Sequence, residues 1–296
     1  MSEKKVVITD LVKAYGHNEV LHKVNLELEK GKIYGFIGRN GAGKTTLLSI
    51  ASGQNPATSG TITVDGMPVW ENQEARDLIC FSRELSPMTG NGANNTKVKD
   101  YIKAASIYIP TFDKEYADEL VKAFGLDTKK RISKLSKGMM SMVTIIVALA
   151  SKAEYTFLDE PVAGLDIVAR EKFYKILLDE FAESQRTFVI STHIIEEAAD
   201  VFEEVIIIDQ GNILLKKNTN DLVESVVHIS GKDEDIETLT QGRTVYNTEK
   251  IGRSKGATVA LKDGETDFDV QGLDVSVQPM NLQQIFVAMC GKEAEI

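Results

Sequence analysis

Gly38-Arg39-Asn40-Gly41-Ala42-Gly43-Lys44-Thr45 follows directly on the apolar run Ile33-Tyr34-Gly35-Phe36-Ile37 and leads into Thr46-Leu47-Leu48-Ser49-Ile50-Ala51. The stretch reads as a short buried strand, a glycine loop and a helix, and it fits the spacing G-x-x-x-x-G-K-[ST]. Glycines let such a loop curl until its backbone N–H groups converge on one point, and the helix N-terminus behind them adds partial positive charge. Both favour phosphate. Within the motif Lys44 would reach the β- and γ-phosphates as a point charge, and Thr45 would offer its hydroxyl to Mg²⁺.

Outward from this loop, residues 5–37 read as strands and 60–82 as further strands. Residues 96–151 turn helical, with Val98, Ile102 and Ala105 and then Leu120, Ala123 and Phe124 spaced by three and four. We read that stretch as a helical insert. Tyr155–Leu158, Thr187–Ser191 and Val205–Asp209 are short β-rich runs, the first two separated by an amphipathic helix from Ile167 to about Glu183. Strand and helix thus alternate as in an α/β fold with a mostly parallel sheet. Near residue 220 the texture changes. Residues 230–278 are rich in Thr, Gly, Asp and Val, which predicts a small β-rich appendage closed by an amphipathic helix over Asn281–Met289. The division expected is 1–220 and 221–296, the second part serving as a regulatory or dimer contact or as a stabilising cap.

The chain has 296 residues, 34 Lys+Arg against 44 Asp+Glu, and a net charge of −10. With 43% hydrophobic and 26% charged residues it has material for a proper core. The acidic balance argues against a nucleic-acid partner. Cys80 and Cys290 are far apart and lack metal-ligand spacing, as do His17, His22 and His228, and so few thiols suit a reducing compartment. Charged residues come too early at the N-terminus for a signal peptide, and Met142–Ala150 and Val205–Ile208 are too short to span a membrane. A cytoplasmic protein is expected, and any membrane work requires another chain.

The run Tyr155-Thr156-Phe157-Leu158-Asp159-Glu160 ends a buried strand in two carboxylates. An acid there lies where open α/β sheets bind ligands. Beside a phosphate loop, Asp159 is placed to hold Mg²⁺ and Glu160 to orient an attacking water. Taken alone, the pair also reads as a strand reaching solvent, Tyr15 as a packing residue and His193 as a strand-end hydrogen-bonding group.

Leu135-Ser136-Lys137-Gly138-Met139 precedes the carboxylate pair, and Gly164-Leu165-Asp166 and Ser191-Thr192-His193 follow it. In order and spacing these motifs resemble the ATP-binding subunit of an ABC transporter over residues 4–220. The resemblance implies a P-loop ATPase fold with ATP and Mg²⁺ as cofactors. Tyr15 would stack on adenine, and Gly38, Asn40, Gly41, Ala42, Gly43, Lys44, Thr45 and Thr46 would cradle the phosphates. Thr45, Glu84 and Asp159 would face the metal, and Glu160 and His193 would serve catalysis. Ser136 and Gly138 would bind the γ-phosphate held by a second subunit, and Asp166 would lie at the dimer seam. Two copies, or this chain and a homologous ATPase, would close head to tail over two nucleotides and drive a separate membrane permease.

Two departures from the family pattern stand out. The usual L-S-G-G-Q is LSKGM here, with Lys137 for a glycine and Met139 for a glutamine. Glu84 stands where a glutamine is usual. The pattern most resembles ATPases of bacterial peptide exporters of the bacitracin, lantibiotic or phenol-soluble-modulin type. The alternative is a soluble ABC ATPase acting on ribosomes or DNA, whose relatives usually carry two phosphate loops in one chain or long coiled coils. Neither feature occurs here.

Overall fold

The computed structural model describes residues 4–85, 96–252, 254–262 and 264–291. The hairpin β1 (Lys5–Tyr15) and β2 (Asn18–Glu29) leads to β3 (Ile33–Ile37), the glycine loop and α1 (Lys44–Ala51). Next come β4 (Ser59–Val64), β5 (Met67–Pro68), α2 (Gln73–Asp77), β6 (Ile79–Ser82), α3 (Val98–Tyr108), α4 (Lys114–Phe124) and α5 (Lys137–Ala150). The chain continues through β7 (Tyr155–Asp159), α6 (Ile167–Ser184), β8 (Thr187–Thr192), β9 (Glu204–Asp209), β10 (Asn212–Asn218) and α7 (Thr219–Glu224). The last stretch holds β11 (Val226–Lys232), α8 (Asp233–Thr240), β12 (Val245–Ile251), β13 (Ser254–Ala260), β14 (Ser276–Pro279) and α9 (Leu282–Cys290).

The central sheet has the order β10-β9-β3-β8-β7-β6 and is parallel except for the β10 edge. Every residue of β3, β7 and β8 is buried, as expected of parallel strands covered on both faces. Side-chain alternation divides the core. Ile33, Ile37, Phe188 and Ile190 face one apolar cluster with Val143 and Ile146 of α5 and Phe173 and Leu177 of α6. Tyr34, Phe36, Phe157 and Val189 face the other, with Leu47 and Leu48 of α1 and Val6, Ile8 and Leu21 of the antiparallel sheet β2-β1-β4-β5. The α/β class and mostly parallel sheet agree with the sequence reading.

Two details differ from it and one, the character of α5, adds to it. The stretch 60–82 contains a helix, α2, whose start is capped by Asn72 accepting from the Ala75 N–H. The last helix of the insert, α5, is apolar on most sides because its inner face packs into the sheet's own cluster. The appendage builds an antiparallel sheet, β12-β13-β11-β14, but it also carries α8, whose first turn holds Asp233, Glu234 and Asp235. Acids at that end complement the helix dipole, a signal the Thr/Gly/Asp-rich composition masks. The appendage has its own cluster around Ile229, Ile236, Val259 and Phe268, yet Leu222, Val226, Leu282 and Ile285 join the cluster of the body.

Candidate functional site

Register builds the site. Pairing of Ile37 with Thr192 and of Asp159 with Ser191 brings the ends of β3, β8 and β7 to one edge of the sheet. The glycine loop leaves β3 there. Gly43 caps α1 at φ +108, and a Cβ on it would lie 2.8 Å from Leu21 Cδ2, so both backbone and space require glycine. The Ala42 N–H donates to Arg39 O and Ala42 O accepts from the Gly211 N–H, each at 3.1 Å, which pins the loop between its own turn and the β9–β10 connection. Val20, Asn40, Gly41, Gly43, Lys44, Thr45, Thr46 and Glu160 line a cavity of about 270 Å³. Gly38 sits at the root of the loop, where a Cβ would meet Ile208 O at 2.6 Å.

Lys44 is only 6% exposed. Its Nζ donates to Gly38 O at 2.6 Å and to Arg39 O at 3.2 Å and lies 3.8 Å from Glu160 Oε1. Burial lowers its pKa, and the charges of Glu160 and Asp159 oppose that shift. Thr45 Oγ1 donates to Asp159 Oδ2 at 2.6 Å, and Ser191 Oγ donates to Asp159 Oδ1. Glu160 stands at φ +50, with its N–H donating to Ser191 O and Oγ. This sharp turn aims its carboxylate at His193, whose Nδ1 lies 2.7 Å from Glu160 Oε2 and donates to it.

Lys44, Thr45, Asp159, Glu160 and His193, predicted from separate motifs, therefore form one cluster. Ser191 belongs to it too, as the group that fixes both Asp159 and Glu160. Its position in Ser-Thr-His at a buried strand's end was the available signal.

The Thr45–Asp159 pair supplies two adjacent hard oxygens. That donor set fits Mg²⁺, which takes few protein ligands and completes its shell with phosphate oxygens and water. Glu84 does not join the pair. It lines a neighbouring cavity of about 740 Å³ together with Thr45, Ser82, Tyr101, Thr144 and Asp159, but its Oε1 lies 3.2 Å from Lys137 Nζ.

The signature segment is organised differently. Ser136 caps α5 by accepting from the Met139 N–H, and Asp166 caps α6 by accepting from the Ala169 N–H. Gly138 is buried against the loop before α6, and a Cβ there would lie 2.4 Å from Gly164 O. Ser141 Oγ donates to Ala163 O and ties the two segments further. Tyr15 is 51% exposed at the end of β1. The Nζ of Lys13 lies over the ring, 4.8 Å from its centroid, and donates to Pro56 O. That lysine carried no signal in the sequence.

A family model described as ABC transporter matches residues 21–163. The ABC transporter ATP-binding protein YtrB of Bacillus subtilis (strain 168) is 26% identical over 290 residues, covering 97% of this chain and 98% of that protein. The bacitracin transport ATP-binding protein BcrA of Bacillus licheniformis is 31% identical over 299 residues, covering 96% of each. Among solved structures, a dimeric ATP-binding cassette in a post-hydrolysis state with ADP and phosphate matches with a TM-score of 0.62 at 23% identity. That match covers 72% of this chain and 98% of the cassette and bears on the fold. With the phosphate loop, the carboxylate pair and near full-length likeness to BcrA, the chain belongs to the ATP-binding subunits of ABC transporters, a family whose activity is ATP hydrolysis.

Proposed function

We propose that this chain powers an exporter of peptides or antimicrobial compounds, working at the cytoplasmic face of the membrane against a separate permease. The near full-length similarity to a bacitracin transport subunit supports the substrate class. Among the described residues no helix is long and apolar enough to cross a membrane, which suits a subunit that docks on another chain. On this reading residues 1–220 do the nucleotide work and 221–296 are accessory.

The observation that carries the mechanism is the Lys44–Glu160–His193 arrangement. Lys44, already desolvated and held on the loop carbonyls, is poised to turn its charge to phosphate oxygens. Glu160, oriented by His193, is the base placed to accept a proton from the attacking water. Thr45 and Asp159 would hold Mg²⁺, which when bound neutralises charge on the phosphate oxygens. Tyr15, half-exposed with Lys13 over its ring, would stack on adenine. Ser136, Gly138 and Asp166 sit on helix starts of their own chain and would serve the nucleotide of an opposing copy, or of a homologous ATPase, in a head-to-tail pair. The test uses the purified chain. Phosphate release from Mg-ATP should slow sharply in Glu160→Gln while nucleotide binding persists, and that variant should sediment as a dimer only with Mg-ATP. Binding lost equally in Glu160→Gln and Lys44→Ala would make Glu160 a structural residue and overturn the assignment.

A further inference from the structure

Lys13 occupies a place in β1 that suits an apolar residue. It shares the strand's inward row with Leu11 and is only 8% exposed. A buried ammonium is costly unless it is paired, and the partners this one has are a carbonyl and an aromatic face: its Nζ donates to Pro56 O at 2.7 Å and lies over the Tyr15 ring. Pro56 belongs to the turn that leaves α1. Ser49 O accepts from the Gln54 and Asn55 N–H groups, and Asn55 Nδ2 donates to Ser49 Oγ at 2.9 Å. Since α1 begins at Lys44, one connected route runs from the glycine loop along this helix, through Asn55 and Pro56, to Lys13 and the Tyr15 ring. The hairpin end stands beside the same loop. Tyr15 pairs with Asn18, and Val20, two residues further on, lines the cavity of Lys44 and Thr45.

We propose that Lys13 is a positioning residue for the nucleotide base, acting through Tyr15. The inference rests on the reading above in which Tyr15 stacks on adenine. With Lys13 over one face of the ring, the base takes the other, and the bond from Lys13 to Pro56 fixes the spacing between that face and the glycine loop. The cation also draws on the negative face of the ring, so the opposite face repels the π cloud of a purine less. A ring already held in place loses less freedom when the base arrives. The backbone here does not depend on the lysine. The Ala14 N–H donates to Thr58 Oγ1, and Val12 O accepts from the Thr58 N–H, each at 2.9 Å, so the end of β1 is tied to this segment by other bonds. What Lys13 adds is the orientation of the ring.

The experiment titrates the purified chain with Mg-ATP and, in parallel, with the magnesium salt of inorganic tripolyphosphate, which carries the phosphates without the base. Lys13→Met should weaken ATP binding by about three- to tenfold, the scale of one side chain that must be ordered on binding, and leave tripolyphosphate binding unchanged. Lys13→Arg keeps a cation that can lie over the ring, so it should stay within about twofold of wild type. Added to Tyr15→Ala, Lys13→Met should have no further effect, because the two side chains act as one unit. Wild-type ATP affinity in Lys13→Met, with Tyr15→Ala weakened, overturns the proposal and leaves the stacking reading standing. So does a loss that falls equally on tripolyphosphate, or one that persists in Tyr15→Ala, since either means that the lysine acts on the loop or the fold rather than on the ring. If Tyr15→Ala itself binds ATP as wild type does, the stacking reading fails and takes this inference with it.

Discussion

The phosphate-loop half of the site and the signature half are built on opposite plans. In the first, Lys44, Thr45, Asp159, Glu160 and Ser191 hydrogen-bond one another or nearby backbone, and Lys44 and Asp159 are buried. In the second, Ser136 and Asp166 cap their own helices on exposed surface, and Lys137 rests on a half-exposed carboxylate. The first half is pre-organised by its own fold and needs only its ligand. The second is rigid in backbone, through Gly138 against Gly164 and Ser141 on Ala163, but its polar side chains face outward. On the head-to-tail reading proposed above, hydrolysis would depend on the meeting of a finished half-site with a presented one, which would couple chemistry to closure.

The largest expected effect probes the finished half. Glu160→Gln should slow hydrolysis by about 10²- to 10⁴-fold, the range for loss of a general base, because the amide keeps the shape but cannot take the proton. Single-turnover phosphate release checks it. A drop of only a few-fold would mean that another group activates the water and that the two halves are less unequal than their geometry implies. Lys44→Ala should come next, weakening ATP binding by roughly 10- to 100-fold, since a hydrogen bond to a charged partner is worth about 1.5–3 kcal/mol. Equilibrium titration with a fluorescent ATP analogue measures it. Substitutions at Ser136 or Asp166 should leave the same titration unmoved in the monomer.

A third effect is a pH dependence confined to the finished half. Burial lowers the pKa of Lys44, so the free chain loses that proton at a pH where ordinary lysines keep theirs. The sign follows from linkage. The unfolded chain binds more protons through this window, so the apo protein gains stability as pH rises through it. ATP binding moves the opposite way, because phosphate needs the charged lysine. Affinity should therefore fall on the alkaline side before other lysines titrate, and the fall should be absent in Lys44→Ala. Thermal melts and nucleotide titrations over the same pH series test both signs.

How far the sequence reached follows the same division. The finished half was legible because the glycine loop and the Asp159-Glu160 pair are contiguous strings at strand ends. Its internal wiring was not. The Ser191–Asp159 bond spans 32 positions and depends on the register of β7 with β8, which no local pattern encodes. The expectation that Glu84 faces metal came from the family resemblance, which sets it where a glutamine is usual after β6; its ion-pair partner Lys137 comes from a different motif and is brought in by the fold. The helix over Asn281–Met289 was legible from its apolar face and appears as α9 with an Asn281–Gln284 capping box. That Ile285 would pack with the core of the body was not, because an amphipathic face carries no address.

The smallest effect is the one that separates the two duties of Ser136. As the N-cap of α5 its hydroxyl accepts from the Met139 N–H at 3.2 Å, so Ser136→Ala should cost about 1 kcal/mol of stability. Ser136→Asp keeps an accepting oxygen at the cap and suits the positive helix end, so it should melt within a few tenths of a kcal/mol of wild type. The two substitutions should differ in stability and agree in function. Alanine removes the hydroxyl that would meet phosphate, and aspartate sets a negative charge against it. Chemical denaturation of the monomers, beside sedimentation of each variant in the Glu160→Gln background with Mg-ATP, gives both readouts. If the aspartate variant is as stable as wild type yet dimerises with ATP as well as the parent, Ser136 is a cap and nothing more. The presented half would then consist of Gly138, Asp166 and the backbone of α5 alone.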